Sequence, residues 1–500
     1  MKSIARNSAF WIWTATAVFA ALQACGGEPD GDDDGNNFGG GSRVRPPANS
    51  SSGETGSSSS SSSGGGGGEL QITQIASLAY HTCVVWSDGK MKCWGWNGGG
   101  QLGLGDTKHR GGALADMGKD LPFVDVGASR RVERVSMGYL FTCALLDQGE
   151  VKCWGDNSFC GDDLDESCGL GYGDKDARGH TPESMGNGLP AIDLGGAAKD
   201  LACGSFSCCA LLTNDSVKCW GENYGGVLGY GDTLVRGDEP GEMGNALPPV
   251  DIGVGKVASL RVGHSIAGPH ACAVLQDGRM KCWGANAHGE LGLGDSQSRG
   301  DQSNEMGTAL PDVPTGEQVT TVGLGDSTTC AVLDTGRLRC WGDNVWGQLG
   351  VGDTTSRGNT AGQNLPLVDL GGQNVIDVAS DSHTCAILAD GTVKCWGLNG
   401  LAKDDGGVTP YGYLGLGDGQ NRGDGPGEMG VNLPIVDLGD VPAAARIAIG
   451  AGHTCVVFAN HKVKCWGNNE RGLLGYGDED VRGTTPAQMG AALPYVDLGR

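Results

Sequence analysis

The chain has 500 residues, 19 cysteines and a formal net charge of −24 at neutral pH. Nucleic acid is excluded as an expected partner, because proteins that bind phosphate backbones present clustered Lys and Arg. The charge favours basic partners instead. The sequence contains no zinc-protease, phosphate-loop or dinucleotide-binding motif, and no pair of catalytic carboxylates stands out. We therefore expect no cofactor, no metal and no enzymatic activity.

The N-terminus has the pattern of an export signal. Lys2 and Arg6 precede an apolar run from Ala9 to Leu22, which is too short to span a bilayer comfortably. The run ends Leu-Gln-Ala-Cys-Gly and resembles the lipobox of bacterial lipoproteins. This resemblance implies a signal peptide at 1–24, lipidation of Cys25 and insertion of its acyl chains into a lipid bilayer. We expect an exported bacterial lipoprotein at the outer membrane or cell surface, with an ordinary secretory peptide as the alternative.

Residues 25–69 have the composition of a tether. An Asp-rich cluster at 30–34 is followed by Ser- and Gly-rich sequence up to Gly68. Such a segment cannot bury a core and predicts a disordered linker with an r.m.s. span of roughly 35–40 Å. The Asp cluster is interpreted as a solvated part of this linker, with calcium binding as the alternative.

One hairpin-like segment recurs seven times with a period near 60 residues, which indicates a repeat architecture. Each copy holds two cysteines ten positions apart, and Trp-Gly follows the second one every time. The pairs are Cys83 with Cys93, Cys143 with Cys153, Cys209 with Cys219, Cys272 with Cys282, Cys330 with Cys340, Cys385 with Cys395, and Cys455 with Cys465.

The spacing predicts a disulfide inside each hairpin. In the second copy, Gly149 suits the left-handed position of a three-residue loop, and that loop places Cys143 directly opposite Cys153. Opposed residues of an antiparallel pair lie roughly 4.5–5.5 Å apart at Cα, which is within the range for a disulfide. The alternatives are reduced, buried thiols and metal binding. Metal binding is disfavoured because CxxC spacing and clustered histidines are absent.

The remaining cysteines also have candidate partners. Cys160 and Cys168 flank an insertion in the second repeat, and Cys203 and Cys208 flank a short stretch in the third. Both pairs could close locally, so that every cysteine after Cys25 has a partner. This pattern is expected in an oxidising compartment and argues against the cytosol.

From Leu70 to Arg500 each repeat contains four candidate strands and no amphipathic helix. Units of four strands in series predict an all-β fold, a seven-bladed β-propeller with an intra-hairpin disulfide in each blade. The fourth repeat departs at its end, where Pro-Asp-Val-Pro at 311–314 replaces Val-Asp-Leu-Gly. The spacing places the blades at about 70–127, 128–195, 196–253, 254–316, 317–371, 372–439 and 440–500.

Two strings of the repeat are distinctive: Gly-His-Thr-Cys at 452–455, continuing through Gly467, and Asn-Val-Trp-Gly-Gln-Leu-Gly-Val-Gly-Asp at 344–353. On these strings the repeat resembles that of RCC1, the regulator of chromosome condensation. It covers about 430 residues and implies a seven-bladed propeller, which the secreted β-lactamase inhibitor of the BLIP-II type shares. The family usually has apolar or small residues where this chain has cysteines. It also lacks the added Met-Gly-x-x-Leu-Pro-x-Val-Asp-Leu-Gly segment, seen here at 429–439.

Three recurring sets of residues are interpreted as structural. Asp-x-x-x-Arg-Gly occurs in all seven repeats, and a pair kept in every blade predicts an ion pair that pins a loop. The tryptophan of each Trp-Gly predicts packing within the blades. Four histidines occupy equivalent turns in different repeats, and we expect them to cap those turns rather than to share a metal: His81, His270, His383 and His453.

We expect the propeller to bind an unknown protein or glycan partner at the cell envelope, without catalysis, through loops on one face. The best candidates for specificity are the unusual loops Ser158 to Gly169 and Leu401 to Tyr413. The stretch Gly-His-Ser-Ile-Ala-Gly at 263–268 superficially resembles a serine nucleophile elbow, but it lacks the second glycine in register and the following helix. Two alternative functions are a guanine-nucleotide-exchange regulator, implied by the family resemblance, and a polysaccharide- or peptidoglycan-directed enzyme.

Overall fold

The structure, a computed structural model, describes residues 70–157, 169–265, 268–403 and 407–500. The expected signal peptide, the lipidation site Cys25 and the tether lie outside these residues, and so do Cys160 and Cys168. Within the described part of the chain, no helix has the length and hydropathy needed to cross a bilayer.

Seven three-stranded antiparallel sheets follow one another along the chain, and we refer to them as blades 1 to 7. The inner strands are Ile72–Leu78, Val132–Met137, Ala198–Cys203, Val257–Val262, Val319–Leu324, Val375–Ser380 and Ala444–Gly450. The middle strands are His81–Trp86, Phe141–Leu146, Ser207–Leu212, His270–Leu275, Thr328–Leu333, His383–Leu388 and His453–Phe458. The outer strands are Met91–Gly95, Val151–Gly155, Val217–Gly221, Met280–Gly284, Leu338–Gly342, Val393–Gly397 and Val463–Gly467.

The connections carry little further regular structure. A two-stranded hairpin, Gly400–Ala402 with Val408–Pro410, lies in the insertion of blade 6. The helices of the described residues are single 3₁₀ turns: Leu114–Asp116, Gly118–Asp120, Pro182–Ser184, Tyr224–Gly226, Gly307–Ala309, Gly430–Asn432, Glu470–Gly472, Pro486–Gln488 and Gly490–Ala492.

The blades close into a ring. The inner strand of each blade contacts that of the next, and the inner strand of blade 7 contacts that of blade 1. At this junction Ser77 Oγ lies 2.8 Å from His453 Nε2, and the Gly477 N–H donates to the carbonyl of Gly111 over 2.9 Å. The all-β, seven-bladed propeller that the repeats predict is confirmed.

The hairpin register is the predicted one. In blade 2, Cys143 lies opposite Cys153 and Leu145 opposite Val151, and the other six hairpins pair in the same way. Opposition at this position puts the two cysteine side chains of a hairpin on the same face of the sheet.

A disulfide joins the middle and outer strands in every one of the seven hairpins. The Cα atoms lie 4.0 to 4.1 Å apart, slightly closer than expected. Cys203 and Cys208 are bonded as well, between the inner and middle strands of blade 3. The hairpin cysteines are buried, and the bonded pairs are Cys83 with Cys93, Cys143 with Cys153, Cys209 with Cys219, Cys272 with Cys282, Cys330 with Cys340, Cys385 with Cys395, and Cys455 with Cys465.

The expected fourth strand does not form among the described residues. In each repeat the Leu-Pro-x-Val segment, which is Leu-Pro-Ala-Ile in blade 2, donates one hydrogen bond to the first residue of the outer strand, as in Val436 N–H to Val393 O at 2.9 Å. Blade 5 adds one isolated bridge, between Arg339 and Leu367. The next donor along an antiparallel edge would be two residues earlier, where every repeat has a proline without an N–H. These prolines are Pro122, Pro190, Pro248, Pro311, Pro366, Pro434 and Pro494.

The added segment forms a belt around the outside of the ring. The Gly430 N–H donates to the carbonyl of Asp369 in the preceding blade over 2.9 Å, and the equivalent bond joins six of the seven junctions, including that between blades 7 and 1. A buried lysine of the outer strand holds both segments, as Lys394 Nζ donates to Leu370 O at 3.2 Å and Gly430 O at 2.8 Å. The junction of blades 4 and 5 lacks the glycine bond, because blade 4 ends Pro-Asp-Val-Pro and blade 5 has no Met-Gly.

Replacing Lys152 by Met is expected to lower the free energy of unfolding by about 2 kcal/mol, because two buried carbonyls lose their donor. Lys152 Nζ donates to Val126 O at 3.0 Å and to Gly186 O at 2.9 Å. Lys152→Arg is the matched control, since Arg339 takes the equivalent place in blade 5 and reaches the carbonyl of Leu365. Urea unfolding of the three proteins measures the difference. Equal stability of the Met variant would show that the belt bonds contribute nothing.

The tryptophan of each Trp-Gly is fully buried and packs against the preceding blade. Trp341 Nε1 donates to Glu290 O at 2.9 Å, and six of the seven tryptophans make this bond. Gly292 has φ +69°, and a Cβ there would lie 2.7 Å from Trp341 Nε1. The glycine of the Leu-Gly-x-Gly-Asp stretch is therefore needed for the close approach of the indole.

Candidate functional site

Short loops that differ in length and sequence from blade to blade lie at one end of the propeller. These are the inner loops, which join each inner strand to its middle strand. Because the strands of a blade are antiparallel, the inner loops share their end with the Trp-Gly termini and with the hairpin of the blade 6 insertion. The inner loops are residues 79–80, 138–140, 204–206, 263–265 with 268–269, 325–327, 381–382 and 451–452.

Neighbouring inner loops are joined by hydrogen bonds. The Tyr139 N–H donates to Ser205 O at 2.7 Å, and Ser205 Oγ donates to the carbonyl of Ser265 at 2.9 Å. Ser265 Oγ in turn lies 3.4 Å from Ser327 Oγ. The loops of blades 2 to 5 therefore form one continuous surface.

An ion pair crosses this surface. His264 Nε2 of blade 4 lies 2.9 Å from Asp381 Oδ1 of blade 6, and both side chains are nearly buried. Burial opposes the charged form of His264, but the Asp381 carboxylate, with help from Asp326, raises the pKa of the imidazole above its ordinary value. Burial likewise opposes ionisation of Asp381, and His264 nevertheless holds the pKa of Asp381 below its ordinary value. Both shifts favour the charged pair.

Asp326 of blade 5 adds a second carboxylate beside this pair. Asp326 is exposed to solvent, but the surrounding loops still desolvate its carboxyl group and raise its pKa. The charge of Asp381 raises the pKa further, while a hydrogen bond from Ser265 opposes the shift. No Lys, Arg or His lies within ion-pair distance of Asp326 among the described residues. A cationic group brought to this point would relieve the repulsion between the two carboxylates.

The other side of the cluster is aromatic. The rings of Tyr80 and Tyr139 meet edge to face at 5.8 Å, and their hydroxyls lie 3.4 Å apart. Phe206 continues the row at 5.8 Å from Tyr139, and Trp96 lies 6.3 Å from Tyr80. Burial raises the pKa of both tyrosines, so their hydroxyls stay neutral. We refer to these four residues of blades 1 to 3 as the aromatic strip.

The blade 6 insertion reaches the same cluster. Tyr411 and Tyr413 stack at 6.2 Å, and Tyr413 lies 5.6 Å from the His383 ring. Burial raises the pKa of Tyr413, and Asp381 raises it further. The structure thus places one end of the predicted specificity loop Leu401 to Tyr413 beside the inner loops. The other predicted loop lies outside the described residues except for Gly169.

The four equivalent histidines bond across blades instead of capping their own turns, which corrects the sequence interpretation. His81 Nε2 lies 2.8 Å from Thr142 Oγ1 of the next blade, and Thr142 already donates to Gln101 O, so the histidine is the donor. The others contact a hydroxyl of the next blade at 2.7 to 2.8 Å. Burial lowers the pKa of His81 and His270 to about 3, and that of His383 and His453 to about 4. All four rings are therefore neutral.

The described residues offer no histidine cluster that could hold a metal. In the part of the chain that the structure describes, the one group of three potential ligands within reach of each other is Cys143, Cys203 and Cys208, and all three sulfurs are in disulfides. Ser265 Oγ points to Ser327 rather than to His264, which agrees with rejecting a nucleophile elbow at 263–268.

The Asp-x-x-x-Arg-Gly pairs pin loops, as predicted. In all seven repeats the arginine Nη2 lies 2.6 to 2.8 Å from the aspartate Oδ2, as in Arg178 and Asp174 at 2.7 Å. The arginine backbone also pairs with the Gly of Trp-Gly, which folds the loop back onto the outer strand. The pairs are partly exposed, and each contributes about 0–1 kcal/mol at most.

Sequence reasoning missed two groups of residues. The buried lysine before the second cysteine and the buried Asn344-type residue three positions after each Trp hold the repeat together, and their recurrence was a usable signal. Asn344 Oδ1 accepts from the Leu349 N–H at 3.0 Å, and Asn344 Nδ2 donates to Asp353 O at 2.7 Å. His264 and Asp381 gave no such signal, because they lie 117 residues apart in different repeats.

The geometry of the repeats agrees with a known family. A model of the regulator of chromosome condensation (RCC1) repeat matches residues 72–101, 132–161, 198–226, 270–290, 319–348, 378–401 and 444–473, and a second RCC1 repeat model matches 88–145. This chain is an RCC1-repeat protein. The matched segments contain or overlap the disulfide hairpin of every blade of the RCC1 propeller.

Several relatives share the RCC1 repeats. The chain is 28% identical over 411 residues to the ultraviolet-B receptor UVR8 of Arabidopsis thaliana, covering 81% of this chain and 78% of that protein. It is 26% identical over 386 residues to the E3 ubiquitin-protein ligase HERC2 of Homo sapiens, covering 76% of this chain but only 7% of that protein.

Two solved structures have the same fold. Human WBSCR16 superposes with a TM-score of 0.56 at 19% identity, covering 78% of this chain and 92% of the other. Prp20p of Saccharomyces cerevisiae superposes with a TM-score of 0.52 at 20% identity, covering 83% and 86%.

Proposed function

We propose that this chain is a non-enzymatic envelope lipoprotein whose RCC1 propeller binds a basic segment of a protein partner over the inner loops. One observation carries the proposal: the inner loops bring the carboxylates of Asp326 and Asp381 within electrostatic reach of Tyr139 in the aromatic strip.

This surface has the chemistry that binds Lys and Arg side chains. Phe206 and Trp96 are buried, and Arg471 already lies over the Trp96 ring. A cationic head can approach Asp326 while its stem lies against the partly exposed rings of Tyr80 and Tyr139, where a cation–π contact contributes about 0.5–2 kcal/mol. The net charge of −24 steers basic partners toward the propeller from a distance. A protein partner is also in keeping with the relatives, because Prp20p has described binding properties toward Gsp1p and histones, and yeast RCC1 forms a complex with Kap60.

The envelope location rests on the lipobox, the tether and the paired cysteines. Intact-mass spectrometry of the protein purified from its bacterium should show a chain that begins at Cys25 and carries acyl chains. An unacylated chain cut elsewhere would support an ordinary secretory peptide instead.

Binding is tested with immobilised full-length protein and a detergent extract of cell envelopes from the bacterium that produces it. Asp326→Asn should reduce the amount of captured partner about tenfold, the factor for about 1.4 kcal/mol, and added salt should act in the same direction. Glu479→Gln is the matched control, because Glu479 is an exposed carboxylate of blade 7 outside the inner loops, and it should leave capture unchanged. Equal capture by the Asp326 variant would overturn the proposed surface.

The test also separates the other functions. Hydrolysis of glycans or peptidoglycan by the purified protein would overturn the non-enzymatic role. Accelerated release of guanine nucleotide from a small GTPase would favour an exchange regulator.

A further inference from the structure

The inner strands of all seven blades surround a central cavity of about 590 Å³. At the fifth position of the inner strand, six of the seven blades have Ala, Ser or Gly, whereas blade 4 has Arg261. The third position contributes Arg134 and Arg446 to the same cavity. Three guanidinium groups therefore line the centre of a protein whose overall charge is strongly negative.

Two of these arginines have no carboxylate partner at ion-pair distance among the described residues. These two are Arg261 and Arg446. Arg134, by contrast, is paired, because its Nη1 lies 2.8 Å from Asp200 Oδ1. Arg261 Nη1 donates to the backbone carbonyl of Leu260 over 2.8 Å. Asp377 also lines the cavity, and its two oxygens accept the backbone N–H groups of residues 378 and 447 at 3.0 and 3.4 Å. The Asp377 carboxylate is thus partly engaged by the backbone of the inner strands. The exposed carboxylate of Glu133 lines the cavity as well.

The surroundings of Arg261 make its charge costly. Burial lowers the pKa of Arg261, and the neighbouring Arg134 lowers it further, while Asp200 and Asp377 oppose the shift. An enclosed cation without a paired anion destabilises the state that contains it. The guanidinium group offers a fork of donors that matches carboxylate and phosphate oxygens.

We propose that the central cavity binds a small organic anion, whose carboxylate or phosphate group is held by Arg261 and Arg446. The small residues at the fifth position of the other six inner strands leave room for a ligand beside Arg261. The cavity volume lies within the range of about 300–1,000 Å³ typical of small-molecule sites. His264 lines the same cavity and is ion-paired with Asp381. The cavity borders the proposed protein-binding surface at His264. Arg261 and Arg446 belong to the inner strands rather than to the inner loops, so either site could exist without the other.

The test is calorimetric titration of the full-length protein with citrate and with inorganic phosphate, and with glycerol as the uncharged probe. One of the two anions should bind with saturation and a stoichiometry of one, and the preferred probe tells carboxylate from phosphate recognition. Glycerol should give no binding heat.

Arg261→Gln and Arg446→Gln should each weaken anion binding about tenfold or more, because each removes a charge-assisted bond. Arg131→Gln is the matched control, since Arg131 is exposed outside the cavity, donates to Ser87 O at 2.8 Å, and should leave binding unchanged. Arg446 is also exposed, so its variant is expected to fold.

A second readout does not depend on finding the right anion. In the absence of any anion, Arg261→Gln should keep or raise the melting temperature, because it removes an enclosed charge without a paired carboxylate. A clear drop in the melting temperature would assign Arg261 a structural pairing and overturn the proposal. The proposal would also be overturned if neither anion showed saturable binding at millimolar concentration. It would likewise be overturned if both cavity variants bound the anion as tightly as the unmodified protein.

Discussion

Acidification from pH 7 to pH 5 is expected to destabilise the propeller by about 7 kcal/mol, because four buried histidines stay neutral in the folded chain. Their pKa values are lowered to about 3 for His81 and His270, and to about 4 for His383 and His453. In the unfolded chain each titrates near pH 6.5. Their contribution is therefore fully present above that pH and is lost as the pH falls toward the folded values.

Urea unfolding at a series of pH values measures this loss. Well below pH 6.5, the four histidines should give a slope of about 5–6 kcal/mol per pH unit. His81→Gln keeps a donor for Thr142 and removes one titrating group, so its slope should be smaller by about 1.4 kcal/mol per pH unit. Blades 2, 3 and 5 have Phe141, Ser207 and Thr328 at this position, which shows that the blade does not need the imidazole itself. A flat profile between pH 7 and pH 5 would contradict the buried, neutral state.

His264 acts in the opposite sense. Its pKa is raised, so the stability that it contributes is present below about pH 6.5 and is lost as the pH rises through its folded value. One such group offsets only part of the effect of the four neutral histidines.

Removal of the hairpin disulfides should have the second large effect. Each closes a loop between cysteines ten positions apart and is expected to contribute about 2–3 kcal/mol by restricting the unfolded chain. The double variant Cys455→Ala with Cys465→Ala should lose about that amount, as measured by urea unfolding at neutral pH. Reduction of the whole protein should lower the melting temperature far more than this single double variant does.

Thiol titration provides the control. The denatured, unreduced mature lipoprotein, in which Cys25 is acylated and the other 18 cysteines are paired, should have no free thiol, and the double variant should gain none. Free thiols in the denatured, unreduced wild-type protein would contradict the disulfide pairing. The double variant should still fold, because the middle and outer strands of blade 7 keep their ladder pairing on both sides of these positions.

The prediction of a fourth strand was wrong, although the sequence contains the residue that prevents this strand. The Leu-Pro-x-Val segment has the alternation of a strand, but the proline stands where the second ladder donor is needed, as Pro434 does before Val436. A check of donors along that edge would have predicted a single bond instead of a strand. The buried lysines gave a similar signal, since a Lys kept between two apolar strand residues must find carbonyl partners.

The histidines could not have been assigned in this way. Their position in a turn suggested capping, but the hydroxyl that His81 contacts is 61 residues away in the next blade. Likewise, the separation of 117 residues between His264 and Asp381 spans an entire intervening blade. Neither contact follows from spacing along the chain, because each depends on how neighbouring blades are turned against each other.

The number of blades, the hairpin register and the disulfide partners were readable from the residues, because they depend on turn geometry within about ten positions and on exact repetition. The meeting of Asp326 with Asp381, the aromatic strip, and the convergence of Arg261 and Arg446 on one cavity came from ring closure. Closure brings together side chains from different repeats, and the direction in which each points is set by the packing between blades rather than by its neighbours in the chain.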